Sequence, residues 1–194
     1  MAVASPLAQA YVSPEEYLRR EARSPEKSEY QNGRILAMSG GSFNHVQITT
    51  NLNTSMGVAT RGKLCRYFAS ELKILISEGP RYFYPDGAIA CPPNIVDSKN
   101  GIIDNPKVVF EVLSPGTEGR DRREKFFAYA GLASIEQIVF IGSEYKSVEV
   151  WSREGKAWRP EVSVEGSAFL TSVNLELSLE ELYENVRIEE AFEE

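Results

Sequence analysis

The chain has 194 residues and a net charge of −7, so it is long enough for one domain with its own core and lacks the basic excess that tight non-specific DNA binding requires. One histidine and two cysteines, Cys65 and Cys91, argue against a Cys/His zinc site and against a conventional Ser-His-Asp triad. Since no basic leader precedes an apolar block and no run of roughly 18 uncharged apolar residues occurs, we expect a cytoplasmic protein with reduced thiols.

The N-terminal part of the chain predicts a helix followed by a β-hairpin. Ser13 can cap a helix that begins at Pro14, and acidic residues follow in its first turn, so a short helix should run to about Arg23. Asn32-Gly33 is the commonest two-residue hairpin turn, and strand-like segments lie on both sides of it.

The middle of the chain predicts one long helix and then a series of strands. The four-residue spacing of Ile48, Leu52 and Met56 places one apolar stripe along a helix over residues 44–58. The strand-like runs are 72–76, 81–90 and 108–113, and residues 91–105, rich in Pro, Asn and Asp, predict a loop. The last of these runs is almost wholly apolar, which is typical of a strand covered on both faces.

The C-terminal part alternates helices and strands. Its predicted elements are a helix at 122–130, a buried strand at 137–142, a hairpin of 147–151 and 157–162, and an amphipathic helix at 179–186. The whole order predicts an α/β or α+β fold with a mixed central sheet flanked by helices and with additional β-hairpins. We expect a single domain over residues 13–186, a flexible N-terminus over 1–12 and an acidic tail over 187–194.

Asp86 is the first candidate site residue. It follows Pro85 within a strand-like run, and a proline there indicates an edge, bend or bulge at which a side chain can be re-aimed. Pro-Asp-Gly is also typical of an ordinary turn, which by itself explains the triplet more simply.

Glu111 and Lys125 are the other two candidates. A carboxylate inside the apolar run 108–113 carries a large desolvation cost unless it is paired or binds a metal. The alternatives are a salt bridge to a buried arginine or a position at an open sheet edge. Lys125 lies four residues after Asp121, which is the spacing of a helix-surface ion pair worth only about 0.3–0.5 kcal/mol; alternatively, it orients a water in a catalytic site.

Together these residues resemble the PD-(D/E)xK nuclease superfamily, and more closely a widespread bacterial family of restriction-endonuclease-like proteins long known only as a domain of unknown function. The resemblance rests on Tyr84-Pro85-Asp86, on Glu111-Val112-Leu113-Ser114-Pro115-Gly116-Thr117 and on residues 121–129. It extends to residues 29–34, His45 and the hairpin at 148–150, and so covers the chain from about Ser13 to Tyr183.

The resemblance implies a restriction-endonuclease-like core in which Asp86 and Glu111 bind Mg²⁺ or Mn²⁺, hard ions suited to carboxylate oxygens. Such a metal lowers the pKa of a bound water and stabilises charge on a scissile phosphate. The superfamily lysine normally lies two residues after the second acid, where this chain has Leu113. Lys125 on the following helix is therefore the implied catalytic lysine.

Glu29 and His45 are additional candidates. Glu29 resembles an acid that some family members contribute as an extra metal ligand, and its alternative is a solvated hairpin glutamate. His45, near a helix N-terminus, could contact a phosphate, or it could bond a neighbouring backbone group instead.

Two functions of different classes follow from the resemblance. The first is a Mg²⁺-dependent DNA endonuclease that hydrolyses phosphodiester bonds with metal-activated water, and acids at both ligand positions favour it. The alternative is a non-catalytic DNA- or protein-binding module that retains a nuclease fold, which the acidic composition and Leu113 favour. Double-strand cutting with one site per chain would suit a homodimer, and no membrane partner is expected.

The negative charge of the chain is concentrated at its end. Residues 176–194 contain eight glutamates and one arginine, so residues 1–175 contain 20 acidic and 20 basic residues. Replacing Glu189, Glu190, Glu193 and Glu194 with glutamine should therefore strengthen DNA binding at low salt, because repulsion between the tail and phosphates is removed. Fluorescence anisotropy with labelled duplex DNA measures this, and equal affinity of both proteins at low salt would contradict it.

Overall fold

A computed structural model of the chain describes residues 11–38, 40–77 and 79–188. Its helices are α1 (Pro14–Glu21), α2 (Phe43–Thr60), α3 (Glu118–Arg120), a π-helical turn (Asp121–Lys125), α4 (Phe126–Gly131) and α5 (Leu179–Leu182). Its strands are β1 (Ser28–Gln31), β2 (Arg34–Ala37), β3 (Arg66–Ala69), β4 (Lys73–Ile76), β5 (Arg81–Phe83), β6 (Gly87–Ala90), β7 (Ile95–Asp97), β8 (Ile102–Ile103), β9 (Val108–Leu113), β10 (Gln137–Gly142), β11 (Val148–Glu154), β12 (Ala157–Ser163), β13 (Ser167–Leu170) and β14 (Leu175–Ser178). None of the described helices is long and apolar enough to span a membrane.

Two mixed sheets organise the molecule. Sheet I has the strand order β2-β1-β5-β4-β8-β7, and sheet II has the order β12-β11-β10-β9-β6-β3, while β13 and β14 form a separate hairpin. The predicted α+β fold with a mixed sheet is thus confirmed, with the strands divided between two sheets. The run 81–90 contributes β5 to sheet I and β6 to sheet II, so residues 84–86 connect the two sheets.

Strand β9 lies in the middle of sheet II and is buried along its whole length. It pairs in parallel with β10 and antiparallel with β6. On one face, Phe110 and Val112 pack into a core cluster that includes Ile48 and Leu52 of α2. On the other face, Val109 and Leu113 pack with residues of α4 and sheet I. A side chain at position 111 therefore points into protein, towards the helical segment 118–131.

The first elements of the chain agree with the sequence predictions, whereas the helix predicted over 122–130 is part of a longer helical segment, 118–131, with a π-helical turn at its centre. Ser13 caps α1 by accepting a hydrogen bond from the N–H of Glu16, and the β1–β2 hairpin turns at Asn32-Gly33. Helix α2 is longer than predicted by one residue before 44 and two after 58, and it buries Ile48, Leu52 and Met56 as its apolar stripe requires.

Two predicted segments are wrong. The loop predicted over residues 91–105 contains β7 and β8, whose connecting turn is held by Asp97, since the Asp97 carboxylate accepts the N–H groups of Lys99 and Asn100. The helix predicted over 179–186 ends at Leu182. Strand β3 and the hairpin of β13 and β14 were not predicted.

The expectation of two reduced thiols is also wrong in this structure. Arg66 of β3 pairs with Ala90 of β6, so the neighbouring positions Cys65 and Cys91 lie opposite each other, and their sulfurs form a disulfide. Residues 1–10 and 189–194, which include most of the predicted flexible N-terminus (1–12) and acidic tail (187–194), lie outside the described residues. The predicted arrangement of one domain at 13–186 between two flanking segments stays a prediction.

The β1–β2 turn offers a test of the fold. Gly33 has a φ of +90°, well outside the left-handed helical minimum, whereas Gly155, in the β11–β12 turn, has a φ of +64° and open space around it. Gly33→Ala should lower the free energy of unfolding by about 2–3 kcal/mol. Gly155→Ala should cost about 1 kcal/mol, since its φ is near the left-handed helical minimum. Urea denaturation compares the two, and an equal or larger loss in Gly155→Ala would contradict the assignment.

Candidate active site

Asp86 is held where β6 joins the connection between the sheets. The β6–β9 ladder ends at the pair Gly87 and Phe110, and beyond it the Oδ2 atom of Asp86 accepts a hydrogen bond of 2.7 Å from the N–H of Val112. The side chain thus takes the place of the next ladder bond, and the bend predicted from Pro85 is confirmed. The Asp86 side chain keeps 16% of its surface exposed.

Glu111 lies on β9 with its side chain buried. Both of its carboxylate oxygens accept hydrogen bonds from the Nζ of Lys125, at 3.0 and 2.9 Å, and Oε1 also accepts one from the hydroxyl of Tyr129 at 2.7 Å. The alternatives of an open sheet edge and of a buried arginine partner are therefore wrong, because β9 is an interior strand and the partner is a lysine. The predicted need for a charged partner is met.

Lys125 is buried, so the interpretation as a helix-surface ion pair is wrong. Besides Glu111, its Nζ lies 3.2 Å from Oε1 of Glu29 and 3.4 Å from Oδ1 of Asp121. The π-helical turn, in which the N–H of Phe126 bonds the carbonyl of Asp121, carries Lys125. Single π turns are frequent at functional sites. Leu113, at the usual lysine position, is buried among apolar side chains.

Glu29 is a buried member of the same cluster, so the alternative of a solvated hairpin glutamate is wrong. Its Oε1 accepts a hydrogen bond of 3.1 Å from the N–H of Tyr84, and its Oε2 lies 2.7 Å from Nη1 of Arg120. The β1 strand thus presents its carboxylate to the connection between the sheets and to the helical segment 118–131.

His45 lies in the first turn of α2. Its backbone N–H donates to the Ser42 hydroxyl, which caps the helix, while the Nε2 atom of its ring lies 3.4 Å from Oδ2 of Asp86. A Cβ at Gly41 would lie 2.6 Å from Nδ1 of the ring, so glycine is needed for the ring to occupy this place. Burial lowers the pKa of His45, but the Asp86 carboxylate raises it by more, and the net shift is upward.

These five candidates, Asp86, Glu111, Lys125, Glu29 and His45, line one cavity of about 130 Å³. The other charged side chains in its wall are Asp121 and Arg120, so four carboxylates face two permanent cations, and the formal charge is −2 when every carboxylate is ionised and His45 is neutral. Such a site binds protons tightly.

The pKa values of the buried pair follow from this excess of negative charge. Burial raises the pKa of Glu111, and the positive charge of Lys125 opposes this rise. The Asp121, Asp86 and Glu29 carboxylates add to the rise, so the pKa of Glu111 lies well above its ordinary value. Burial lowers the pKa of Lys125, but the same carboxylates, with Glu111 first, raise it by more. Both groups therefore hold protons more tightly than in water.

A divalent cation fits this site by charge and by donor type. Among the described residues, no three His, Cys, Asp or Glu side chains already form a metal-binding cluster. The net charge of −2 nevertheless equals what Mg²⁺ or Mn²⁺ neutralises, and carboxylate oxygens are the donors these ions prefer. Asp86 is the most accessible of these carboxylates, whereas both oxygens of Glu111 are engaged by Lys125.

Asp121, Tyr129 and Arg120 belong to the cluster but were not selected from the sequence as site residues. Asp121, Lys125 and Tyr129 recur every four residues and so share one face of the helical segment, a signal that the sequence contains. Arg120 had no comparable signal, because it is one of several arginines in a charged stretch and only the fold brings it to Glu29.

Comparison with solved structures defines the class of fold. The chain has a TM-score of 0.67 to the crystal structure of a "putative nuclease belonging to DUF820" from Anabaena variabilis, at 20% identity, covering 89% of this chain and 98% of that one. The fold is therefore that of a nuclease-like protein, as the resemblance implied.

The family follows from the sequence. The model of the Uma2 family, described as "Putative restriction endonuclease", matches residues 14–186, and this chain belongs to that family. Two uncharacterized proteins of Synechocystis are similar to it. One, sll1609, is 33% identical over 72% of this chain and 80% of its own length, and the other, slr1290, is 38% identical over 73% and 74%. The resemblance stated from the motifs is confirmed.

Removing the Lys125 charge tests the buried cluster. Lys125→Ala should cost about 3–5 kcal/mol of unfolding free energy at neutral pH, because it leaves buried carboxylates without their partner. Arg123→Ala, an exposed position on the same turn, should change it by under about 0.5 kcal/mol.

The loss of unfolding free energy in Lys125→Ala should depend on pH. Without Lys125, a raised pKa of Glu111 makes the folded state bind a proton that the unfolded state releases, so the variant is most stable below the ordinary glutamate pKa and loses stability as pH rises through the raised value. Urea denaturation at acidic and neutral pH measures this. A pH-independent loss would show that the charge of Glu111 is not its cause.

Proposed function

We propose that this protein is a Mg²⁺- or Mn²⁺-dependent DNA endonuclease, with Asp86 and Glu111 as metal ligands and Lys125 as the residue that positions Glu111. The observation that carries the proposal is the cavity at the join of the two sheets, in which four carboxylates face Lys125 and Arg120 and leave a formal net charge of −2. A surplus of buried carboxylates has no purpose in a purely structural core, since each costs desolvation free energy.

The chemistry divides between the metal and the side chains. Mg²⁺ bound to Asp86 and Glu111 would supply a water of lowered pKa and positive charge beside the scissile phosphate. Lys125 and Tyr129 hold the Glu111 carboxylate in one orientation through three hydrogen bonds. The N–H of Val112 does the same for Asp86 by donating to its Oδ2 atom, and Asp86 lines the cavity.

The remaining candidates take supporting roles in the same proposal. Glu29 orders Lys125 and the Tyr84 backbone, and it is an additional ligand if the metal is shared among more than two carboxylates. His45 lies against Asp86 and limits the orientations of that carboxylate. The description of the family supports DNA as the substrate. We further propose that the protein acts on DNA in the cytoplasm and does so as a homodimer.

Substitution of the two acids tests the proposal directly. Asp86→Asn and Glu111→Gln should each abolish metal-dependent nicking of supercoiled plasmid DNA, a loss of at least about 10²-fold, because each removes a ligand charge. Mn²⁺ should raise the melting temperature of the wild type, because it binds the folded site, and this rise should be absent in both variants.

Matched controls are available at acids outside the cavity. Asp104→Asn and Glu161→Gln make the same chemical changes in the segment before β9 and on exposed β12, and both should nick as the wild type does. Wild-type nicking by either site variant would refute the assignment. Retained DNA binding without any metal-dependent nicking by the wild type would favour the non-catalytic DNA-binding module.

A further inference from the structure

Lys125 has no donor left for a substrate. An ammonium group has three N–H donors, and the Nζ of Lys125 already lies within 3.4 Å of four carboxylate oxygens, on Glu111, Glu29 and Asp121. Binding a phosphate oxygen there would require one of these buried carboxylates to lose its partner, which is costly. The group that holds the negative phosphate against a cavity of net charge −2 should therefore be another cation.

Arg120 has the opposite arrangement. Its Nη1 lies 2.7 Å from Oε2 of Glu29, but the contact lacks hydrogen-bond alignment, and within the described part of the chain its Nε and Nη2 atoms are buried without a hydrogen-bond acceptor. The nearest acid to Nε is Glu124, at 3.6 Å. Buried donors without an acceptor cost about 1–3 kcal/mol each, so this guanidinium is held in place with unused hydrogen-bonding capacity.

Position and chemistry both suit a phosphate. Arg120 lines the same cavity as Asp86 and Glu111, and 30% of its side chain is exposed, so a phosphate that enters the cavity can approach the guanidinium although Nε and Nη2 are covered in this structure. Ser114 and Thr117, whose hydroxyls bond each other at 3.0 Å, lie in the same wall and add polar hydrogens. A planar guanidinium can donate two parallel hydrogen bonds to phosphate oxygens.

We propose that Arg120 is the phosphodiester-binding residue of this site, with Glu29 as the group that positions its guanidinium. The assignment rests on the proposed nuclease function for its biological meaning, but it concerns binding of the DNA backbone. It gives the two cations of the cavity separate tasks, since Lys125 neutralises and orients Glu111 while Arg120 contacts the substrate.

DNA binding in EDTA measures this without cleavage. With a short fluorescein-labelled duplex, Arg120→Met should weaken binding roughly tenfold or more and reduce the slope of log Kd against log salt by about one. Arg123→Met removes the same charge from an exposed position one turn away and should change Kd by less than about threefold. Arg120→Lys should recover the salt slope but only part of the affinity, because it keeps the charge and loses the planar fork.

A purely structural role for Arg120 predicts a different pattern. If the arginine only neutralises Glu29, then Glu29→Gln combined with Arg120→Met should restore DNA affinity together with melting temperature. If it binds phosphate, the double variant should regain melting temperature and still bind DNA as weakly as Arg120→Met. Wild-type affinity and salt slope in Arg120→Met, or in the double variant, would overturn the assignment.

The two proposals can fail separately. Wild-type protein that binds the duplex but shows no Mn²⁺-dependent nicking would sink the nuclease function, and the effect of Arg120→Met on Kd would still decide the phosphate assignment. If the wild type nicks DNA and Arg120→Met does so with the same KM, only the phosphate assignment would be contradicted. Absence of any duplex binding by the wild type would overturn it as well.

Discussion

The site depends on one electrostatic constraint, which is the burial of a carboxylate in the middle of a sheet. Glu111 lies in β9, with strands on both sides and packed side chains on both faces, so its charge must be balanced inside the protein. Lys125 provides that balance from the next helical segment. Because Lys125 also contacts Glu29 and Asp121, the sheet I hairpin and the helical segment 118–131 are fixed by the same charge.

Local patterns in the sequence predicted much of this arrangement. The bend at Pro85, the N-cap at Ser13, the Asn32-Gly33 turn and the apolar run 108–113 depend on neighbouring residues, and each appears in the structure. The three principal candidates were found through apolar context and motif spacing, and the fold brings them into one cavity. Their catalytic and metal-binding roles stay predictions.

What the sequence did not predict depends on contacts between distant segments. The spacing of Asp121 and Lys125 fits a surface ion pair and a buried one equally well, and only the packing of the helical segment on β9 distinguishes them. The sequence left Glu29 open between an additional metal ligand and a solvated hairpin glutamate, and only the fold shows that it is buried with the N–H of Tyr84, 55 residues later, as a partner. The β13–β14 hairpin and the β7–β8 pair are short strands whose stability comes from their neighbours.

The join between the sheets has a consequence for when the site can exist during synthesis. The residues that contact Glu111 and Lys125 range along the chain from Glu29 to Tyr129. Strand β9 can pair with its parallel neighbour only after β10 has been synthesised. A nascent chain therefore carries the acids long before it carries their positioning groups, and closing such distant contacts is entropically costly until the last of them is present. Until β10 has left the ribosome, the growing polypeptide should hold these carboxylates as separate, hydrated groups without an assembled centre.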